Sequence, residues 1–205
     1  MRLIQLTLPL ALILLTVPMS SQAIQEPAYS VVRTVGDVEI RQYAPYVVAE
    51  VVVPGPTSEA GNTGFRILAA YIFGKNKGER RLAMTSPVTQ RPTPVKLAMT
   101  APVTQRAAPT GSLVQFVLPK DITLATAPVP LDERITVREV PASRIAVIRF
   151  SGFWTDGNYN QHLATLKDAL TAAHLKWSGE PVYSRYNSPF ALWFLRRNEI
   201  WLTLE

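Results

Sequence analysis

The sequence predicts an α+β domain in which a curved antiparallel sheet or barrel carries helices packed on its outside. Three observations lead there. Short β-rich runs outnumber helical ones, only two segments show helical periodicity, and one order of elements occurs twice. Tyr29–Val35 and Val38–Tyr43 read as a hairpin around Gly36-Asp37, because glycine takes the positive φ that a tight turn needs. Ala44-Pro45 leads into the apolar strand Tyr46–Val53. A helix is expected near 58–73, where Phe65, Leu68 and Ile72 recur at helical spacing; Gly61 and Gly64 weaken its start and Gly74 suits its end. Ser112–Leu118 is a further strand, and Pro119 to Pro130 is a proline-containing connector. A second strand pair follows, ending in Arg144–Phe150, and then a helix near 155–173 with Tyr159, Leu163, Leu166 and Leu170 on one face. Glu180–Tyr186 and Glu199–Leu204 close the set.

Two internal repeats organise the chain. Val38 to Pro45, the strand after it and the first helix are matched 97 residues later by Ile135 to Pro141, Arg144–Phe150 and the second helix; Ile40-Arg41 aligns with Val137-Arg138. Strand, turn, strand, helix in the same order twice implies two pseudo-symmetric halves, each with one packed helix. A shorter repeat sets Arg81 to Arg91 against Lys96 to Arg106, differing only at Arg/Lys and Ser/Ala. Two copies are too few for a solenoid. A proline in the middle of each points to edge strands or extended loops.

The first residues carry an export signal. Met1-Arg2 is basic, Leu3 to Val17 is mostly apolar, and Ser21-Gln22-Ala23 places small residues at a cleavage site. The apolar run is shorter than the ~18 residues a membrane span needs. Cleavage after Ala23 leaves residues 24–205 as a single domain, periplasmic or secreted, with no stable membrane insertion. With no cysteine in the chain, that domain depends on packing alone. The net charge of +6 is scattered, and no nucleic-acid-binding motif occurs. Catalytic signatures are missing too: no cysteine nucleophile, no G-x-S-x-G, no H-E-x-x-H and no P-loop. A non-enzymatic binding domain is the expectation.

Few residues offer ligand chemistry. His162 and His174, both expected on the second helix, read as boundary or surface imidazoles. Met84 and Met99 are polarisable thioethers that can pack on an aromatic face or simply fill the core. Tyr183 to Trp201 sets six aromatic residues and an aliphatic cluster beside Arg196-Arg197, with Asn187-Ser188-Pro189 as a turn signal. Phe190 to Leu195 could cover an apolar ligand face and let guanidinium groups reach its anionic groups. The same loop could equally pack on the core with its arginines in water.

Six segments resemble one family when taken in order. They are Glu39-Ile40-Arg41-Gln42-Tyr43-Ala44-Pro45; Gly64 to Asn76, ending in Gly74-Lys75-Asn76; Leu97-Ala98-Met99-Thr100-Ala101-Pro102-Val103; Phe116-Val117-Leu118-Pro119; Val147 to Phe153; and Tyr186-Asn187-Ser188-Pro189 with Arg196-Arg197-Asn198-Glu199-Ile200. Together they resemble the SOUL/heme-binding protein family. The resemblance implies a distorted antiparallel β-barrel of two similar halves and non-covalent binding of heme or another tetrapyrrole in a shallow apolar groove. Carried over, Phe65, Leu68, Tyr71 and Ile72 would line that groove, Met84 and Met99 would approach the ring, and Phe190 would lie close by. Arg66, Lys75 or Arg196 would pair with the propionates. Some relatives place an iron-ligating His where this chain has Gln42, so axial ligation from that position is absent and weak or no ligation is expected. The leading reading is a tetrapyrrole carrier or buffer; the alternative is a periplasmic small-molecule sensor acting through a protein partner.

Overall fold

The computed structural model describes residues 24–78, 94–188 and 190–205. Nine strands and two helices follow in order: β1 (Tyr29–Val35), β2 (Val38–Tyr43), β3 (Tyr46–Val53), α1 (Thr57–Ile72), β4 (Val103–Ala108), β5 (Gly111–Val117), β6 (Thr136–Val140), β7 (Ser143–Phe150), α2 (Asp156–Ala172), β8 (Trp177–Arg185) and β9 (Asn198–Leu204). All nine strands form one antiparallel sheet in the order β1-β2-β7-β9-β8-β4-β5-β3-β6. Its two ends, β1 and β6, do not pair, so the expected barrel is an open one.

The strand order explains the long repeat. From β2 onward each half reads ββαββ, and the halves meet at the β4–β8 pair, Thr104 opposite Ser184. Each half gives its first strand to the other: β2 pairs with β7, and β6 pairs with β3. The duplicated arginines keep related roles. Arg41 reaches the Glu199 carboxylate, and Arg138 donates to Glu50 at 2.9 Å.

Both helices lie on one face of the sheet. Arg185 of β8 donates to the Tyr159 hydroxyl of α2 at 3.1 Å, and its Nη1 stands 3.3 Å from where a Cβ on Gly61 of α1 would be. Under α1, alternate residues of β3 (Val47, Ala49, Val51, Val53) pack with Leu68, Tyr71, Ile72, Val114 and Phe116. Under α2, Ile40, Ala146, Ile148, Ile200 and Leu202 meet Tyr159, Leu166 and Leu170. Gly61 and Gly64, which cost α1 helix propensity, are there for proximity. A Cβ on Gly64 would fall 2.6 Å from Val114 Cβ, so only glycine lets the helix approach β5 so closely. The Thr155 hydroxyl caps α2 by accepting from the Asn158 N–H at 3.3 Å. His174 lies just beyond α2 rather than on it, at φ 55°. Among the described residues no helix is long and apolar enough to cross a membrane.

On the opposite face, β2, β7 and β9 are tied together by one buried carboxylate. Glu199 is fully buried and accepts from Arg41 Nη1 (2.9 Å) and Nη2 (3.1 Å), Arg197 Nε (3.0 Å) and Nη2 (2.8 Å), the Tyr186 hydroxyl (2.7 Å) and Trp201 Nε1 (2.8 Å). Burial would push the Glu199 carboxyl up, but the hydrogen bonds and charge of Arg41, then the charge of Arg197 and the Tyr186 bond, hold it below its ordinary value. Burial together with the Glu199 charge raises the Tyr186 phenol.

The second copy of the short repeat divides in two. Met99 to Pro102 lies outside the strands, with Thr100 bridged to Gln25 and a bend at Ala101, and Val103 opens β4. That strand is paired on both sides, not an edge as the proline suggested. Pro102 sits one residue before the strand, where no ladder hydrogen bond is lost. The first copy, with Met84, lies outside the described residues.

Two outcomes follow from this packing. Glu199→Gln leaves two buried guanidinium groups short of their counter-charge and is expected to cost about 3–5 kcal/mol at neutral pH by urea denaturation. A carboxyl whose folded pKa is lowered stabilises the fold above its unfolded value and loses that contribution as pH falls, so the variant should also flatten the acid limb of the stability curve below about pH 4.3. Gly64→Ala gains about 1 kcal/mol of helix propensity, but overpacking against Val114 costs about 1–3 kcal/mol. The expected net result is a lower unfolding midpoint.

Candidate functional site

The chain between β8 and β9 carries five exposed large apolar side chains, Phe190 and Leu192 to Leu195. Ala191 N–H closes a turn onto the Ser188 carbonyl at 3.0 Å, and Trp193–Leu195 forms a single 3₁₀ turn. Phe190 is 95% exposed, and Leu192, Trp193, Phe194 and Leu195 are each about half exposed or more. Phe153 joins them from the start of the α2 segment, its ring stacked on Trp193 at 5.3 Å and 17°. A contiguous apolar patch of this kind costs solubility and adds nothing to the core, which marks it as a contact surface.

A polar frame beneath the loop fixes its base. Gly152 N–H donates to the Trp193 carbonyl at 3.1 Å. Trp154 donates from Nε1 to Asn198 Oδ1 at 2.7 Å, and its ring lies between the guanidinium groups of Arg185 and Arg196, each 4.5 Å from the centroid. Arg196 Nε also donates to the Ala191 carbonyl at 2.9 Å. The loop is therefore held at its root while its apolar side chains face outward.

Beside the loop lies an open cavity of about 730 Å³. Phe194, Leu195 and Arg196 form one wall, the end of β7 from Ile148 to Ser151 another, His162 and Thr165 of α2 a third, and Asp37 in the β1–β2 turn the rim. Its size suits a small-molecule site, roughly 300–1,000 Å³. Both charges of Arg149 and Arg196 are at hand for an anionic ligand, with Asp37 as the opposing charge. The His162 ring stacks on Phe150 at 4.1 Å and 15°, and its Nδ1 lies 2.8 Å from the Asn158 carbonyl.

The residues expected to bind ligand separate into three places. Leu68 and Ile72 are fully buried in the first-half core. Tyr71 is equally buried, its hydroxyl donating to the Pro128 carbonyl at 2.8 Å, and Met99 packs against the same core. Arg66 lines a cavity of about 450 Å³ on the outer side of α1, with Lys75, Leu131, Asp132 and Arg134; Tyr71 contributes its edge. Phe65 is 37% exposed with its ring 5.3 Å from Phe116. Phe190 and Arg196 belong to the aromatic loop in the other half. Met84 lies outside the described residues. Phe153, Arg149 and Phe150 escaped sequence reasoning, although the run Phe150 to Trp154 holds three aromatics in five residues.

The match to known proteins is broad. The model of the SOUL heme-binding protein family covers residues 24–203. The chain belongs to the SOUL heme-binding protein family. Heme-binding protein 2 of Homo sapiens is 28% identical over 189 residues, 89% of this chain and 87% of the relative; heme-binding protein 2 of Mus musculus is 27% identical over 187 residues, 88% and 86%. Among solved structures, the C-terminal domain of EcmrR superposes with a TM-score of 0.54 at 13% identity, covering 86% of this chain and 98% of that one. An uncharacterized conserved protein from Listeria innocua gives 0.56 at 11%, covering 82% and 92%. These structural likenesses share the SOUL chain's fold and carry no statement about its chemistry.

Because the loop side chains are solvated, replacing them should leave folding untouched. Phe190→Ser and Leu195→Ser are each expected to shift stability by no more than about 0.5 kcal/mol in chemical denaturation.

Proposed function

We propose that this SOUL-family chain is an exported tetrapyrrole carrier or buffer that holds heme non-covalently against the loop of residues 190–196. The observation that carries the reading is that apolar loop, solvent-exposed and rimmed by Arg149 and Arg196, in a chain whose family binds heme. A porphyrin is flat and apolar with carboxylates on one edge, and the residues present fit it. Phe153, Phe194 and Leu195 supply apolar contact, and the guanidinium groups supply charge-assisted hydrogen bonds for propionates. Heme supplies the iron and the chromophore; the chain supplies the surface, the counter-charges and partial exclusion of water.

Export is supported by the basic, apolar and small-residue order of Met1 to Ala23, and by a family match that begins at Ile24. A carrier needs reversible contact, which an open cavity on a surface loop permits and a closed pocket does not. The α1 cavity lined by Arg66 and Lys75 has fewer exposed apolar side chains and is the weaker of the two surfaces.

Titration of hemin into residues 24–205, followed by the Soret band and tryptophan quenching, should saturate at one equivalent. The double variant Phe194→Ser/Leu195→Ser should weaken binding about tenfold or more, since partial loss of two apolar contacts is worth on the order of 1.4 kcal/mol or above. Met99→Ala should weaken it much less. Non-saturable, detergent-like changes would count against the carrier reading. Loss on Met99→Ala with retention in the loop variant would move the site to the first half.

A further inference from the structure

We infer that His162 of α2 supplies an axial ligand to heme iron through its Nε2 atom; the inference rests on the tetrapyrrole-binding reading and adds a specific bond to it. The tautomer is decided by the partner of the other ring nitrogen. Nδ1 lies 2.8 Å from the Asn158 carbonyl oxygen, which can only accept, so in the neutral ring Nδ1 carries the hydrogen. Nε2 then holds the lone pair, and among the described residues no hydrogen bond engages it. An imidazole whose Nδ1–H is donated to a backbone carbonyl while Nε2 faces a ligand is the common arrangement of metal-ligating histidines.

The ring is also held in place. Stacking on Phe150 at 4.1 Å and 15° fixes its plane, and the Asn158 contact fixes its rotation, so little side-chain freedom is lost on coordination. It lines the same 730 Å³ cavity as Phe194, Leu195, Arg149 and Arg196. One wall thus carries an imidazole, another apolar side chains, and two arginines line the same cavity. Asp37 of the β1–β2 turn, Ser151 after β7 and Thr165 on the same helix also line the cavity, and none of their side chains carries a nitrogen that could compete. Ligation absent from position 42 is therefore provided by the second half of the molecule. With heme bound, the Nε2 lone pair would be donated to iron(III) in place of a water ligand, with no proton or electron transferred.

The test compares hemin with metal-free protoporphyrin on the full chain, its His162→Ala and His162→Phe variants, and His174→Ala as a control. The phenylalanine variant keeps the stacking on Phe150 without a donor atom, and thermal unfolding reports that it folds. The expected result is that the unaltered chain prefers hemin over metal-free porphyrin by about tenfold, ~1.4 kcal/mol. Both His162 variants should lose that preference, keep porphyrin affinity, and shift the Soret and electron paramagnetic resonance signals of bound hemin. Added imidazole should restore the spectrum of His162→Ala, and His174→Ala should behave like the unaltered chain. An unchanged spectrum in folded His162→Phe would overturn the assignment, as would equal losses for hemin and porphyrin. If the unaltered chain bound neither one saturably, the tetrapyrrole reading itself would fall; saturable binding without the spectral change overturns His162 alone.

Discussion

The Glu199 carboxylate is the constraint around which one face of the molecule is arranged. Desolvating a carboxylate and two guanidinium groups is costly, and their attraction offsets that cost only if nearly every lone pair and N–H finds a partner. Here the condition is met by six donors from four residues besides the further links that anchor the partners themselves: Arg197 to Glu26 at 2.8 Å and Arg41 to the Tyr43 hydroxyl at 3.1 Å. The geometry is specific. Arg41 on β2 must cross β7 to reach β9, so the order of three strands is written into one side-chain contact. Arg197 at the end of the aromatic loop is held by the same carboxylate, which sets where that loop must begin.

This arrangement separates two kinds of arginine that look alike in sequence. Arg196 and Arg197 are neighbours, yet one leans on Trp154 beside an open cavity while the other stacks 3.7 Å from the Tyr186 centroid and serves the buried network. A site built directly on such a frame inherits its rigidity. The loop side chains remain solvated while their backbone is pinned at both ends, at Gly152 and at the turn where Asn187 Oδ1 accepts from Arg197 N–H at 2.6 Å.

Much of the fold was legible because its signals are local. Short apolar, β-branched runs marked β3, β7 and β9, the stripe from Tyr159 to Leu170 marked α2, and Gly36-Asp37 marked the hairpin. The long repeat revealed two halves. The exchange of β2 and β6 between those halves was not legible, since strand partners are chosen by contacts far apart in the chain. The site was harder for a different reason. The residues that carry the family resemblance are mostly structural staples: Glu39, Arg41, Tyr43, Tyr186 and Glu199 bond to one another, Asn76 bridges Tyr71 and Val95 at 2.9 and 2.8 Å, and Thr100 donates to the Val117 carbonyl. Motifs led to the frame, and Leu68 and Ile72, read from helical spacing, lie in the core. The loop Phe190–Arg196 was visible as composition, but Arg149 and Phe150 join it only through folding.

The traded strands have a consequence for how such a molecule can arise and be taken apart. Neither half is a self-sufficient unit, because its second strand lacks a neighbour until the other half supplies one. Two identical copies of one ββαββ segment could satisfy each other in the same way, each lending its leading strand across a twofold axis. The present chain has the architecture of such a swapped homodimer joined into one polypeptide. In a single chain the exchange carries no concentration dependence, and the two halves are not required to be alike. They differ most plainly at one connection: an outward aromatic loop joins β8 to β9, while its counterpart at β4–β5 is the short turn Ala108 to Gly111.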